Sequence, residues 1–485
     1  MPANASGELL LSVLAQMREL RASLDSMRDQ LNISRQESSE LRHELETVRQ
    51  QLEAVRNAPN TFQGAENLTR QSTQESEIID RASALSEEQE LLNAKIEDQY
   101  QTKVESGSKY RVRLSGLALM NAVSTHGSVD SVDLPRFVLP RAPGDSRGSF
   151  AASARQSRLD LQVFGPEWNG AKTTGSMSFD FWGGFPSTSE GVSSGLVRLR
   201  TAKLALDSAK TSVVAGQDVP FFSPRSPTSL ASSAYPPLAS AGNLWTWTPQ
   251  IHVERRIALS DNDKFSVQAG ILDPLTGELP GEYDRIPTAG ERSRVPAYAT
   301  RLGWQRTVGG QTMTTGTGGY YSRQNWGFGR TVDAWAVTAD WDVPVGKWLS
   351  ISGESYRGRA IGGLGAGASG SVLFKGPPVS ASSTVLPLNS VGGWLQLKVQ
   401  PTERIEFNTA FGEDQPFRSG LGRLLIQRSI EGSPFRKNAS GFVNVIYQAR
   451  SNLLFSVEYR RLWTSGFYDP KRNADHLSLT SGIVF

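Results

Sequence analysis

The sequence predicts an all-β transmembrane antiparallel barrel of about sixteen strands, preceded by an N-terminal α-helical parallel coiled coil. Apolar residues repeat every ~3.5 residues at the start of the chain, and every second residue from residue 109 onward. In the last segment Leu477, Leu479, Ile483 and Phe485 alternate with polar residues or glycine. We interpret this one-sided apolar strand as the strand that closes the barrel.

Residues 1–57 are predicted to form the coiled coil. From Leu10 to Val55 the a and d positions of the heptad hold fourteen residues, of which twelve are apolar. The leucines expected to drive oligomerisation are Leu10, Leu24, Leu31, Leu41, Leu45 and Leu52. Leucine at a with mixed residues at d is compatible with a trimer or a tetramer. A single long helix with a charged face is the alternative.

Residues 58–108 are predicted to contain a hinge, marked by Pro59 and Gly64, and a second helical segment. The remaining 109–485 are assigned to the barrel. A hydrophobic fraction of 38% fits this assignment, because strands cross a membrane with about ten residues of alternating polarity. The first residues lack the features of a secretion signal, so we expect the signal peptide upstream of this numbering or removed.

Sixteen candidate strands follow residue 109, the second at 149–164 and the third at 174–185. Short turns alternate with long connections, the pattern of periplasmic turns and outer loops. The connection at 218–248 carries five prolines, and we predict that it folds inward and constricts the pore. Its candidate constriction residues are Phe221, Phe222, Tyr235, Trp245 and Trp247, together with Arg225. An ordinary outer loop is the alternative.

Charge is divided unevenly along the chain. Residues 1–108 hold 11 basic and 19 acidic residues, a net −8, which leaves 40 basic and 29 acidic residues, a net +11, for the barrel. Thirty of those 40 basic residues are arginine, whose planar fork suits carboxylates and phosphates. The barrel is therefore basic although the whole chain is close to neutral.

Strand parity places many of these arginines in the lumen. If Val197 and Leu199 face lipid, Arg198 and Arg200 face inward. The predicted pore and anion-binding residues are Arg155, Arg158, Arg198, Arg200, Arg225, Arg256, Arg301 and Arg460. Such a lining would concentrate small anions. The alternatives are that the arginines pair with lumen acids such as Asp160, Glu254, Glu354 and Glu458, or bind lipopolysaccharide phosphates at the rim.

Three short motifs make the chain similar to the DcaP-like trimeric porins, and more distantly to the phosphate-selective porins, of Gram-negative outer membranes. They are Ala154-Arg155-Gln156-Ser157-Arg158-Leu159, Arg198-Leu199-Arg200 and Val214-Ala215-Gly216-Gln217. The resemblance implies a homotrimer, a periplasmic coiled coil and diffusion of small organic anions such as dicarboxylates. It also implies that Arg155, Arg158, Arg198 and Arg200 act on the solute. From outer-membrane barrels as a class we expect barrel assembly machinery to recognise Phe485, and outer-membrane lipid and lipopolysaccharide to surround the barrel.

These observations predict a porin for passive, anion-preferring diffusion of small organic solutes. The alternative is a structural anchor that links the outer membrane to peptidoglycan or another periplasmic partner through the coiled coil. An enzyme is not expected, because His43, His126, His252 and His476 lack a supporting catalytic motif. No metal site, cofactor or nucleic-acid partner is predicted.

Overall fold

The structure is a computed structural model, and it describes residues 110–185, 195–278, 285–367, 370–417, 430–431, 435–466 and 470–485. The predicted coiled coil of residues 1–57, with its six oligomerisation leucines, lies outside the described residues. The predicted hinge and second helical segment of residues 58–108 do so too.

Twenty strands lie in the described part of the chain. They are β1 (Arg111–His126), β2 (Gly148–Ser153), β3 (Arg158–Trp168), β4 (Ala171–Asp180), β5 (Arg198–Asp207), β6 (Thr211–Asp218), β7 (Thr248–Ala258), β8 (Asp263–Leu272), β9 (Ala297–Val308), β10 (Gln311–Asn325), β11 (Thr331–Val345), β12 (Leu349–Arg359), β13 (Val372–Lys375), β14 (Thr384–Pro387), β15 (Asn389–Thr402), β16 (Ile405–Pro416), β17 (Ile430–Glu431), β18 (Phe435–Gln448), β19 (Leu453–Gly466) and β20 (Arg472–Val484). Short 3₁₀ helices lie at Glu291–Ser293 and Gly362–Leu364. Seventeen strands form one sheet, and β13, β14 and β17 form a small second sheet.

The large sheet closes on itself as an antiparallel barrel. Strand β1 pairs with β20 on one side and with both β2 and β3 on the other. Because β2 and β3 lie end to end against β1, they count as one interrupted strand, and the barrel has sixteen. This confirms the predicted barrel, and closure leaves no unpaired sheet edge in the membrane.

Two predicted strands need correction. The strand at 149–164 is interrupted at residues 154–157, so Arg155 is not on a strand. The interruption lets the buried Gln156 side chain bond to the backbone of residues 231–234 inside the barrel. The strand at 174–185 ends at Asp180, and the two-residue alternation stops there.

Side chains alternate between the two faces of each barrel strand. On β19, Phe455, Val457 and Tyr459 are exposed on the outside, whereas Ser456, Glu458 and Arg460 are buried on the inside. Apolar outside and polar inside is the pattern of a barrel that stands in lipid. No helix in the described ranges is long and apolar enough to cross a membrane.

The two ends of the barrel differ. Turns of two to four residues join strands at one end, where β1 begins and β20 ends. Asn169 and Gly170 have φ of 49° and 74°, and Gly309 and Gly310 have 59° and 77°. Positive φ at both central residues is what a two-residue type I′ hairpin requires. The long connections, such as 127–147, 219–247 and 360–388, lie at the other end.

The largest hydrophobic cluster lies inside the barrel. It joins Phe221 and Phe222, which follow β6, to Tyr320 on β10, Tyr356 on β12 and Leu364 in the connection after β12. Phe222 stacks on Tyr320 with ring centroids 5.3 Å apart. Residues 219–247, named the inward loop below, therefore pack against the inner wall.

Candidate functional site

The inward loop crosses the interior by bonding to inward-facing side chains of distant strands. Thr338 on β11 donates to the Phe222 carbonyl at 2.7 Å. The Thr228 amide donates to Gln396 on β15 at 2.5 Å. Asn438 on β18 donates to the Ser240 carbonyl at 2.8 Å. The loop is thus attached to the inner wall at several points.

Arg225 is one of these attachments. Its Nε lies 2.9 Å from Asp340 Oδ1 and its Nη1 lies 3.1 Å from Asp342 Oδ2, both on β11. Arg301 on β9 shares Asp340, with 2.8 Å between Nη2 and Oδ1. The fully buried Asp340 carboxylate therefore holds two arginines, one from the loop and one from the wall.

Arg460 is a second attachment, and here the structure corrects the sequence-based prediction. Its Nη2 lies 2.7 Å from Glu458 Oε1, and it also donates to Ser232 of the inward loop. Glu458 in turn accepts from Ser229 and from Asn444. Because the Arg460 side chain is only 4% exposed, it holds the loop and does not face a passing solute.

Asp180 on β4 organises the arginines predicted by motif. Arg198 binds it through Nε at 3.0 Å and Nη2 at 2.6 Å, and Arg200 through Nη1 at 3.2 Å. The two guanidinium groups also donate to the carbonyls of Ala234 and Ser233 in the inward loop. One buried carboxylate cannot neutralise two guanidinium groups, so the cluster keeps positive charge. Neighbouring Arg158 pairs with Asp160 at 2.7 Å and stays partly exposed.

Aromatic rings stand between these arginines. Arg198 lies over Tyr235 at 5.0 Å and over Trp247 at 4.8 Å, and Arg200 lies over Trp247 at 4.8 Å. Trp245 contacts both rings, with centroids at 4.9 Å from Tyr235 and 5.5 Å from Trp247. Cation–π contact orients the guanidinium planes without neutralising them.

The five predicted constriction aromatics divide into two groups. Tyr235, Trp245 and Trp247 are partly exposed beside the arginines. Phe221 and Phe222 are buried in the core cluster, Phe222 completely, so they anchor the loop and do not line the passage. That role differs from the one their position in the sequence suggested.

Arg155, in the interruption between β2 and β3, is also paired with a carboxylate and flanked by aromatic rings. Its Nη2 lies 2.8 Å from Asp133 Oδ2. Its guanidinium group lies 4.0 Å from the Trp182 ring centroid and 4.4 Å from that of Phe185. Trp182 and Phe185 both contact this arginine, although continued alternation would have placed them on opposite faces.

A second basic region lies nearer the short-turn end. A cavity of about 240 Å³ is lined by Arg225, Glu254, Arg256, Lys264 and Arg301, among others. Arg256 pairs with Asp207 at 2.6 Å. Basic side chains are therefore concentrated at this level of the wall, although Arg225, Arg256 and Arg301 are each paired with an aspartate.

All eight predicted arginines have an acidic partner in the described part of the chain, so the pairing suggested as an alternative is present. Asp160 and Glu458 were among the suggested partners, while Asp133, Asp180, Asp207, Asp340 and Asp342 were missed. The two-residue alternation of β4 and β11 is enough to place the Asp180 and Asp340 side chains inside the barrel. Their pairing depends on strand register, which alternation alone does not specify.

The described residues contain no group of three or more histidine, cysteine, aspartate or glutamate side chains placed to hold a metal ion. His252 stacks on Phe221 with centroids 4.5 Å apart, and His476 Nδ1 lies 2.9 Å from Thr125 Oγ1. Phe485 pairs its backbone with Gly116, whose amide donates to the Phe485 carbonyl at 2.8 Å.

Comparison with solved structures shows that this chain shares the barrel fold of the DcaP channel. The outer membrane channel DcaP of Acinetobacter baumannii aligns with a TM-score of 0.57 and 16% identity, covering 79% of this chain and 100% of that one. The anion-selective porin from Comamonas acidovorans aligns at 0.46 and 11%, covering 78% and 100%. OmpT of Vibrio cholerae aligns at 0.45 and 10%, covering 79% and 100%. No protein-family model and no curated protein sequence matches the chain.

Proposed function

We propose that the protein is an outer-membrane porin for passive, anion-preferring diffusion of small organic solutes. The observation that carries the proposal is the pair Arg198 and Arg200, which share the single buried carboxylate of Asp180 on the inner wall. A fixed surplus of positive charge inside a low-dielectric wall attracts anions and lowers the barrier to their passage.

Dicarboxylates are the solute class that this arrangement suits. A guanidinium fork binds a carboxylate by donating two parallel hydrogen bonds. The basic residues lie at two levels, around Asp180 and around the 240 Å³ cavity. A solute with two carboxylates can therefore pass from one level to the next without losing all its contacts.

The protein would form a homotrimer in the bacterial outer membrane, with the leucines of residues 1–57 forming a periplasmic coiled coil. Phe485 would serve as the signal for barrel assembly machinery. The solute would pass chemically unchanged, because transport by diffusion needs no nucleophile, base or cofactor.

The proposal is tested by single-channel recording of the purified chain in planar bilayers, with reversal potentials in a salt gradient. We expect anion selectivity and conductance in steps of three, with block by a dicarboxylate. Arg198→Ala and Arg200→Ala should each weaken that block about tenfold, because each removes a charged hydrogen-bond donor.

Arg255→Ala is the matched control, since Arg255 is exposed on the outer face of β7 and bonds Thr211. Cation preference, or equal effects of Arg198→Ala and Arg255→Ala, would contradict an arginine-lined passage. A protein that folds and inserts but conducts no current would favour the structural anchor.

A further inference from the structure

The outer surface of the barrel carries a groove that the channel function does not use. It lies at the long-loop end, along strands β16, β18 and β19, and encloses about 680 Å³. Phe411 on β16 and Trp463 on β19 face outward along it, with ring centroids 6.2 Å apart.

Small residues on β18 form the floor of this groove. Ala439 lies between its neighbours on β16 and β19. A Cβ atom added to Gly441 would lie 3.3 Å from the Phe411 ring and 3.9 Å from the Trp463 ring. The outward residues farther along β18, Val443, Val445 and Tyr447, are exposed and apolar. The groove therefore continues into the apolar belt of the barrel.

The end of the groove nearest the long loops is basic. Arg436, Lys437 and Lys471 line it, and Glu413 is the carboxylate among the lining residues. Lys437 Nζ lies 2.6 Å from Glu413 Oε2, and Lys471 Nζ lies 5.7 Å from the Trp463 ring centroid. Three cations and one carboxylate give the described lining of the groove mouth a net positive charge.

We propose that this groove binds a phosphate-bearing lipid, a phosphorylated glycolipid of the outer leaflet. Lysine and arginine at the mouth would bind the phosphate. An acyl chain would lie over Ala439 and against the outer faces of the Phe411 and Trp463 rings, where it buries apolar surface. Free phosphate would bind only at the basic mouth and would leave the apolar part of the groove empty. A neighbouring copy of the chain could occupy the groove only by placing acidic groups opposite the three cations.

Native mass spectrometry of the detergent-purified full chain tests the proposal, with three probes: diphosphorylated lipid A, its dephosphorylated counterpart, and inorganic phosphate. We expect the diphosphorylated lipid to bind at least about tenfold more tightly than the dephosphorylated one, because only the former makes charged hydrogen bonds. A variant carrying both Lys437→Gln and Lys471→Gln should lose that difference. Gly441→Leu should weaken the binding of both lipids, because the larger side chain displaces the Phe411 and Trp463 rings against which the acyl chain lies.

Arg323→Gln is the matched control, since Arg323 is an exposed, outward-facing cation on β10, a strand that does not line the groove. It should leave lipid binding unchanged, and the heat-dependent gel shift should show that every variant is folded. Equal binding of the two lipids, or displacement of lipid by inorganic phosphate alone, would overturn the proposal. So would groove variants that dissociate the oligomer while lipid binding persists.

Discussion

The lumen has two walls that use the same kinds of side chain for different purposes. On the covered wall, defined by the inward residues of β15, β16, β18 and β19, five polar side chains are at most 4% exposed: Gln396, Asn408, Asn444, Glu458 and Arg460. On the open wall, defined by the inward residues of β3 to β7, exposure is higher: the side chains of Arg158 and Arg256 are 41% and 36% exposed, and those of Arg198 and Arg200, which also touch the inward loop, are 20% and 12% exposed. Burial by the inward loop decides whether an ion pair supports structure or meets solute.

The largest effect should follow removal of the covered ion pair. Arg460→Met would leave Glu458 charged, buried and without its cation, which costs about 3–5 kcal/mol. We expect a loss of that size in the free energy of unfolding, measured by urea titration of the detergent-folded barrel. The variant carrying Glu458→Gln as well should recover much of the loss.

A double variant as unstable as Arg460→Met alone would contradict this explanation. The loss would then come from packing against Phe442, whose ring centroid lies 5.5 Å from the Arg460 guanidinium group.

The second effect concerns how closely the inward loop approaches the covered wall. Gly242 has φ of 97°, and a Cβ atom there would lie 2.1 Å from the Gly393 carbonyl oxygen. Gly242→Ala should cost about 2–4 kcal/mol, from positive φ and from overpacking. If that strain moves the loop off the wall, single-channel conductance should rise.

Gly309→Ala separates the two causes. Gly309 has φ of 59° in a short turn, with no atom within 4 Å of the added Cβ. This control should cost about 1–2 kcal/mol and leave conductance unchanged. Equal conductance in the two variants would mean that contact with Gly393 does not position the loop.

The third effect tests the charge surplus on the open wall. Asp180→Asn keeps the shape of the side chain but removes the charge that Arg198 and Arg200 share. The chloride-to-potassium permeability ratio should therefore increase, by about two- to threefold. Reversal potentials in a KCl gradient measure it.

Asp207→Asn is the control for the charge on Asp180. Asp207 also pairs with an arginine, Arg256, but it is 52% exposed and screened by water. We expect Asp207→Asn to change the chloride-to-potassium permeability ratio less than Asp180→Asn does. A fall in anion preference on Asp180→Asn would show that the two arginines do not face the passage.

Sequence alternation was sufficient for the barrel and for the inward orientation of the arginines on regular strands, such as Arg256, Arg301 and Arg460, because period two is a local property of a strand. It was insufficient for Arg460 and Phe222, since their burial depends on the inward loop, which reaches them from distant parts of the chain. It also missed the interruption at Arg155 and Gln156. Alternation resumes after those residues, so the sequence pattern gives little sign of the interruption. The strand is interrupted where Gln156 binds the backbone of the inward loop.

The smallest effect should come from an ion pair on the open wall. Arg158 and Asp160 lie two residues apart on β3 with 2.7 Å between Nε and Oδ2, a distance equal to that of Arg460 and Glu458. Their partial exposure screens the charges, so a double-mutant cycle with Arg158→Met and Asp160→Asn should give a coupling of about 0–1 kcal/mol. The same urea titration measures both pairs. A coupling on the open wall as large as that on the covered wall would mean that distance alone sets the strength of these pairs, and that coverage by the inward loop does not divide the lumen into two functional walls.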